Sequence, residues 1–75
     1  MRYFEVEFGD TQGISDYSIC IIGKRKPSIE EAEKFCSTDM KNMNYKYVIN
    51  VIEIEEQEAR TFFDMEDEPN FPVFE

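Results

Sequence analysis

The chain has 75 residues, and eight Lys and Arg against 17 Asp and Glu give it a formal net charge of −9. This length allows one small domain with a thin hydrophobic core. The chain has no His, so the commonest general base and metal ligand is missing. The negative charge also argues against general electrostatic binding to DNA, RNA or an anionic membrane.

The hydrophobic fraction of 41%, with 15% aromatic residues, predicts a folded chain rather than a disordered acidic tail. No apolar run reaches the roughly 18 residues that a bilayer span needs. The N-terminus carries acids where a signal peptide has its apolar core, so a cytoplasmic location is expected. Cys20 and Cys36 are predicted to be reduced, buried thiols rather than a disulfide or redox pair.

The first predicted elements form a β-hairpin. Apolar and polar residues alternate from Arg2 to Phe8, which predicts a strand with one buried face. A turn with glycine at both ends, residues 9–13, connects it to a second strand, Tyr17–Ile22. This second strand is apolar on both faces, and Gly23 ends it.

The best-supported element is an amphipathic helix over Ile29–Asn42. Ser28 and Glu31 have the spacing of a capping box, in which each side chain accepts from the other residue's amide. At 100° per residue, one arc of the helix is apolar, and it contains Ile29, Ala32, Cys36, Met40 and Met43. Phe35 lies off this arc and is expected to pack against a flanking element.

A third strand is predicted over Tyr45–Ile54 and a second helix over Glu55–Met65. The strand is apolar on both faces except at Asn50, for which an edge position is the simplest explanation. The helix has a short apolar stripe made of Ala59, Phe62 and Phe63, and Glu56 and Arg60 have the i,i+4 spacing of a favourable ion pair. The tail after it, residues 69–75, is expected to dock on the body as an extended segment.

The predicted fold class is therefore α+β, one domain over residues 1–75 with a small, mainly antiparallel three-stranded sheet. The order is β-β-α-β-α plus the extended C-terminal tail, with the helices packed on the sheet. The third strand could lie beside the first, or beside the second through a right-handed crossover. The polar face of the first strand favours an edge position, and the two apolar faces of the other strands favour the centre.

The sequence predicts no catalytic residue, cofactor site or metal site. A Ser-His-Asp or Cys-His arrangement is impossible without His, and the two cysteines lack the spacing of a zinc site. The acids of residues 64–68 lack the frame of an EF-hand loop. The three glycines, Gly9, Gly13 and Gly23, each lie at a turn, so none belongs to a phosphate-binding loop.

The acidic charge is concentrated in the last third of the chain. Residues 53–75 hold nine acids and one arginine, whereas residues 1–52 hold eight acids and seven bases. This segment could be ordinary solvated surface, a docking surface for a basic partner, or a mimic of nucleic acid. The candidate partner-binding residues are Glu53, Glu55, Glu56, Glu58, Asp64, Glu66, Asp67, Glu68, Phe71 and Phe74.

Three segments carry a resemblance to a group of known proteins: residues 28–33, residues 58–66 and residues 70–74. They resemble short uncharacterised proteins carried on conjugative and phage-like mobile elements of Gram-positive gut bacteria. The resemblance implies a bacterial cytosol and a non-essential accessory role, and it carries no activity with it.

The leading hypothesis is a non-catalytic protein–protein interaction module whose partner has a basic surface. The alternative is a nucleic-acid-mimicking inhibitor of a DNA-binding or DNA-processing protein. No direct nucleic-acid or membrane contact is expected. A homodimer is a further hypothesis, because a second copy could cover one apolar face of the sheet.

Overall fold

A computed structural model describes residues 1–11, 13–63 and 71–75. It contains four strands and three helices within those residues: β1 (Arg2–Gly9), β2 (Tyr17–Gly23), α1 (Ile29–Phe35), α2 (Ser37–Asn42), β3 (Tyr47–Ile54), α3 (Glu56–Phe63) and β4 (Val73–Phe74). The α+β class is confirmed, and the sheet has one more strand than the sequence predicted.

The strand order is β3-β1-β2-β4, with β1 antiparallel to both of its neighbours and β2 parallel to β4. The expectation that β1 lies at an edge and β3 at the centre is therefore wrong. The polar face of β1 is compatible with a central position because the chain's own α3 packs near it, and Tyr3 donates a hydrogen bond to Glu56 of α3.

Alternate residues of β1 face opposite sides of the sheet, and helices of this chain pack on both sides. Phe4, Val6 and Phe8 are fully buried and face α1 and α2. The hydrophobic core on this side also contains Ile21, Ala32, Cys36, Met40, Val48, Val51 and Phe74. On the other side, Tyr3, Glu5 and Glu7 are half-buried, and α3 buries Ala59 against the sheet.

An irregularity in β3 changes which of its residues face the core. Phe8 pairs with Val48 and Glu7 pairs with Asn50, so Ile49 is an extra residue on β3 at a β-bulge. The bulge places Val48 and Val51 on the same buried face, although strict alternation predicted opposite faces. Asn50 is exposed on this edge strand, as predicted, and its side-chain oxygen accepts from the amide of Val51 at 2.9 Å.

The predicted first helix is two helices, because the backbone at Cys36 leaves helical geometry with φ −98° and ψ 14°. Ala32, Cys36 and Met40 are buried as predicted. Ile29 and Met43, at the two ends of the predicted apolar arc, are exposed instead. The predicted arc assumes one straight helix, so it fits the residues near the break and fails at both ends.

The capping box is confirmed, and it brings Glu31 close to Arg25. The Ser28 hydroxyl accepts from the amide of Glu31 at 3.1 Å, and the Glu31 carboxylate accepts from the amide of Ser28 at 3.0 Å. Both oxygens of that carboxylate also accept from the Arg25 guanidinium. The bonds from Arg25 and Ser28 lower the pKa of Glu31 to about 2, from an ordinary value of 4.5.

This low pKa predicts a stability contribution that depends on pH. Glu31 stabilises the fold above pH 4.5, and the contribution is lost as pH falls towards 2, because the unfolded chain takes up the proton first. In Glu31→Gln, we expect stability to fall less steeply with pH between these two values than in the native chain. Urea unfolding at several pH values measures this, with Glu30→Gln as the control, and identical pH dependence in Glu31→Gln and the native chain would contradict it.

Both cysteines are free and buried, as the sequence predicted. Burial raises the pKa of each thiol to about 11, so little thiolate forms at neutral pH. We expect a thiol-specific reagent to label Cys20 and Cys36 slowly in the folded protein and rapidly in a denaturant. Fast labelling of either residue without denaturant would place that thiol at an accessible surface.

The end of the chain adds β4 to the sheet. Val73 pairs with Ile22 and Phe74 with Gly23, and the amide of Ile22 donates to the Pro72 carbonyl at 2.9 Å. Phe74 is only 7% exposed, and its ring meets the Phe35 ring edge-on at 5.5 Å. The expected packing of Phe35 against a flanking element is thus present, although Phe35 itself stays partly exposed.

Candidate functional site

The predicted partner-binding residues are not all on one surface. Glu53 pairs across the sheet with Phe4, so it faces the α1 side, whereas Glu55, Glu56 and Glu58 belong to α3 or to the residue before it. Glu53 is also engaged within the chain, because both of its carboxylate oxygens accept from Arg2 at 2.9 and 3.0 Å. The bonds from Arg2 lower the pKa of Glu53.

Glu56 is likewise used inside the molecule. Its carboxylate accepts from the Tyr3 hydroxyl at 2.8 Å and lies 3.6 Å from Arg60, the i,i+4 pair that the sequence predicted. The Tyr3 bond, with Arg60 adding to it, lowers the pKa of Glu56. The Tyr3 bond links α3 to β1, so Glu56 has a structural role in addition to any role at the surface.

The two aromatic candidates of the tail also pack within the chain. Phe71 is half-buried, and its ring lies edge-on to Tyr3 with the centroids 6.2 Å apart. Phe74 belongs to the core, so its side chain is not part of an exposed surface, contrary to the prediction. The other candidates, Asp64, Glu66, Asp67 and Glu68, lie outside the described residues.

One concave surface lies where α3 meets the sheet. It is a groove of about 360 Å³, which we call the α3 groove, and it is lined by Glu5, Ser18, Ile54, Glu58, Phe62 and Phe63. Of these, only Glu58 is among the predicted partner-binding residues. The volume is at the lower end of the range for small-ligand pockets, so the groove suits one side chain of a partner.

Two carboxylates reach the α3 groove from different elements. Glu5 of β1 is half-buried, and its Oε2 accepts from the Ser18 hydroxyl of β2 at 2.8 Å. Its direct neighbours across the sheet, Cys20 and Ile52, are both apolar. Glu58 is exposed on α3. Among the described residues, the ion pairs are Arg2–Glu53, Arg25–Glu31 and Arg60–Glu56, and none includes Glu5 or Glu58.

Aromatic rings form another wall of the α3 groove. The predicted apolar stripe of α3 is divided in the structure, because Ala59 is fully buried, Phe63 is half-buried and Phe62 is 72% exposed. The stripe therefore does not bury all three of its side chains. An aromatic ring exposed to this degree at the rim of a groove is available for contact with another molecule.

Few patterns in the sequence point to the remaining groove residues. Glu5 fits an ordinary polar position in an alternating strand, and Ser18 lies in a strand whose pattern is apolar on both faces. Their pairing depends on the register of the β1–β2 hairpin, in which Ser18 is opposite Glu7 and diagonal to Glu5. The sequence feature that could have indicated the groove is the pair Phe62-Phe63 in an acidic helix, and neither residue is among the predicted partner-binding residues.

Neither a metal cluster nor a membrane-spanning helix is found among the described residues. Among them, no group of three or more Cys, Asp or Glu side chains is placed to hold a metal ion. None of the helices in those ranges is long and apolar enough to cross a membrane. Comparisons with protein-family models, curated proteins and solved structures found no match. The resemblance to mobile-element proteins therefore stays a prediction.

Proposed function

We propose that this protein is a non-catalytic interaction module that binds a partner protein with a basic surface. The observation that carries the proposal is the exposed Phe62 ring beside the acidic α3 groove. Buried aromatic anchors supply much of the affinity in protein interfaces, and a ring that is exposed in the free protein can become one on binding. The surface we assign to the partner consists of Glu55, Glu58, Phe62 and the α3 groove.

Charge supports a basic partner. The protein has a net charge of −9, and its acids are concentrated after residue 52. Glu55 and Glu58 are exposed on or next to α3, so their field extends into solvent near Phe62. Complementary charge speeds association and selects among partners, while the apolar contact holds the complex together.

The hypothesis of a nucleic-acid mimic has weaker support. A mimic needs acids that are available to the basic cleft of its target, arranged like phosphates along a strand. Glu53 and Glu56 instead bond to Arg2, Tyr3 and Arg60, and Glu53 faces the opposite side of the sheet. Competition with DNA that is lost when Glu55, Glu56 and Glu58 become Gln would revive this hypothesis.

The homodimer hypothesis rested on an uncovered sheet face. Helices α1 and α2 pack on one face of the sheet, and α3 packs on part of the other. Less apolar sheet surface is therefore left for a second copy to cover than the sequence predicted. Ile52, on the α3 side of the edge strand β3, is partly exposed. Sedimentation at several protein concentrations remains the test of this prediction.

Charge reversal on two opposite surfaces tests the interaction module. Glu58→Lys changes the α3 surface, and Glu30→Lys makes the same change on α1, across the sheet. We expect the native chain and Glu30→Lys to recover a common partner from the cell extract, and Glu58→Lys and Phe62→Ser to lose it. High salt should weaken the recovery, because rim charges contribute less when they are screened. Equal recovery by all four proteins would contradict the proposed surface.

A further inference from the structure

The α3 groove offers the two groups that recognise a guanidinium, and we propose that it binds one arginine side chain of the partner. This inference rests on the proposed function, since it names the chemistry by which the same surface recognises its partner. Carboxylates and aromatic rings together favour a planar cation, because the guanidinium bonds in the plane to oxygen and stacks through its face.

The molecule already makes this arrangement twice with its own arginines. Arg2 bonds to the Glu53 carboxylate and lies 5.5 Å from the centre of the Phe4 ring. Arg25 bonds to the Glu31 carboxylate and lies 5.0 Å from the centre of the Phe74 ring. In both places one guanidinium contacts one carboxylate and one phenylalanine ring.

The α3 groove presents the same groups without an arginine from the described part of the chain. Glu5 and Glu58 supply the carboxylates, and Phe62 and Phe63 supply the rings. The Ser18 hydroxyl donates a hydrogen bond to Oε2 of Glu5, and this bond orients the carboxylate. The other oxygen, Oε1, has no hydrogen-bond donor among the described residues. The electrostatic attraction between a cation and a half-buried carboxylate next to Cys20 and Ile52 is stronger than that with an exposed carboxylate, because less water screens it.

Arginine fits this site better than lysine. A lysine ammonium is a strongly hydrated point charge, and it loses more of its hydration on entering a partly apolar groove. In the two intramolecular cases a guanidinium bonds to a carboxylate and lies near a phenylalanine ring; in the α3 groove, Oε1 of Glu5 and a ring of α3 would take those places. The apolar part of an arginine side chain would then contact Ile54 at the wall of the groove.

The test is to titrate N-acetyl-arginine amide into the protein and to monitor the backbone amide chemical shifts by NMR. We expect saturable shifts at Glu5, Ser18, Ile54 and Glu58, and only weak shifts with the citrulline analogue, which has the same shape without the charge. Glu5→Gln should weaken arginine binding about tenfold, because it removes a charged hydrogen-bond acceptor. Glu7→Gln, two residues along the same face of β1, should bind as the native chain does.

Each outcome decides between the alternatives. Equal binding of N-acetyl-lysine amide would overturn the assignment to a guanidinium, and equal binding of the citrulline analogue would overturn any role for charge. No saturable shift in the native chain would also overturn the inference, and this reading does not depend on whether a variant folds. If arginine fails here while Glu58→Lys still abolishes partner recovery, the proposed function stands and only the arginine site is wrong.

Discussion

Replacing Phe74 by alanine should destabilise the protein by about 3–5 kcal/mol, the usual cost of deleting a buried phenylalanine ring. The ring is 7% exposed and closes the core beneath Phe35 and Arg25. A domain of 75 residues has a total stability of about 4–11 kcal/mol, so the variant should lose a large part of it. Urea unfolding of the two proteins measures the difference in the free energy of unfolding.

Val73→Ala is the matched control, because Val73 belongs to the same short strand and its side chain is exposed. We expect it to change stability by no more than about 0.5 kcal/mol. If Phe74→Ala were as stable as Val73→Ala, the Phe74 ring would not be part of the core. That result would support the sequence-based prediction that the Phe74 ring contacts a partner.

Gly9→Ala should be the second strongly destabilising change, costing about 1–3 kcal/mol or more through steric conflict. A β-carbon at Gly9 would lie 2.0 Å from the carbonyl oxygen of Ile14 and 3.3 Å from the side chain of Ile49. The contact with Ile14 is a backbone contact, so a side-chain rotation cannot relieve it. The loop would have to move away from β1, where the amide of Asp16 donates to the Phe8 carbonyl at 2.9 Å.

Thr11→Ala serves as the control in the same connection, since Thr11 is exposed. It should change the melting temperature by only a few degrees, whereas Gly9→Ala should lower it by roughly 5 °C or more. Thermal unfolding of both variants checks this. Equal melting temperatures would show that the loop adapts to a side chain at position 9 at little cost.

Local patterns predicted most of the elements. The alternation from Arg2 to Phe8, the capping box at Ser28 and the i,i+4 pair of Glu56 and Arg60 each depend on a few neighbouring residues, and each is present in the structure. The class of fold followed from these elements. The strand order did not follow, because the position of β1 at the centre depends on pairing between distant segments.

The site was harder to predict for the same reason. The acidic residues near α3 could be counted from the sequence, but their partners could not, and Arg2 and Tyr3 come from the opposite end of the chain. The Glu5–Ser18 pair depends on hairpin register, and the bulge at Ile49 changed the faces of β3. Phe62 is exposed and Phe74 is buried, the reverse of the prediction, because burial of an aromatic residue depends on what packs over it.

The most direct test of the account is photo-crosslinking of the full chain at two positions. A photoreactive phenylalanine analogue would replace Phe62 on α3 in one protein and Lys41 on α2, across the sheet, in the other. We predict that position 62 crosslinks to a single partner through an arginine-containing segment, less so at high salt, and that position 41 does not. The same products from both positions, or no product from position 62, would contradict the assignment of this surface to a partner.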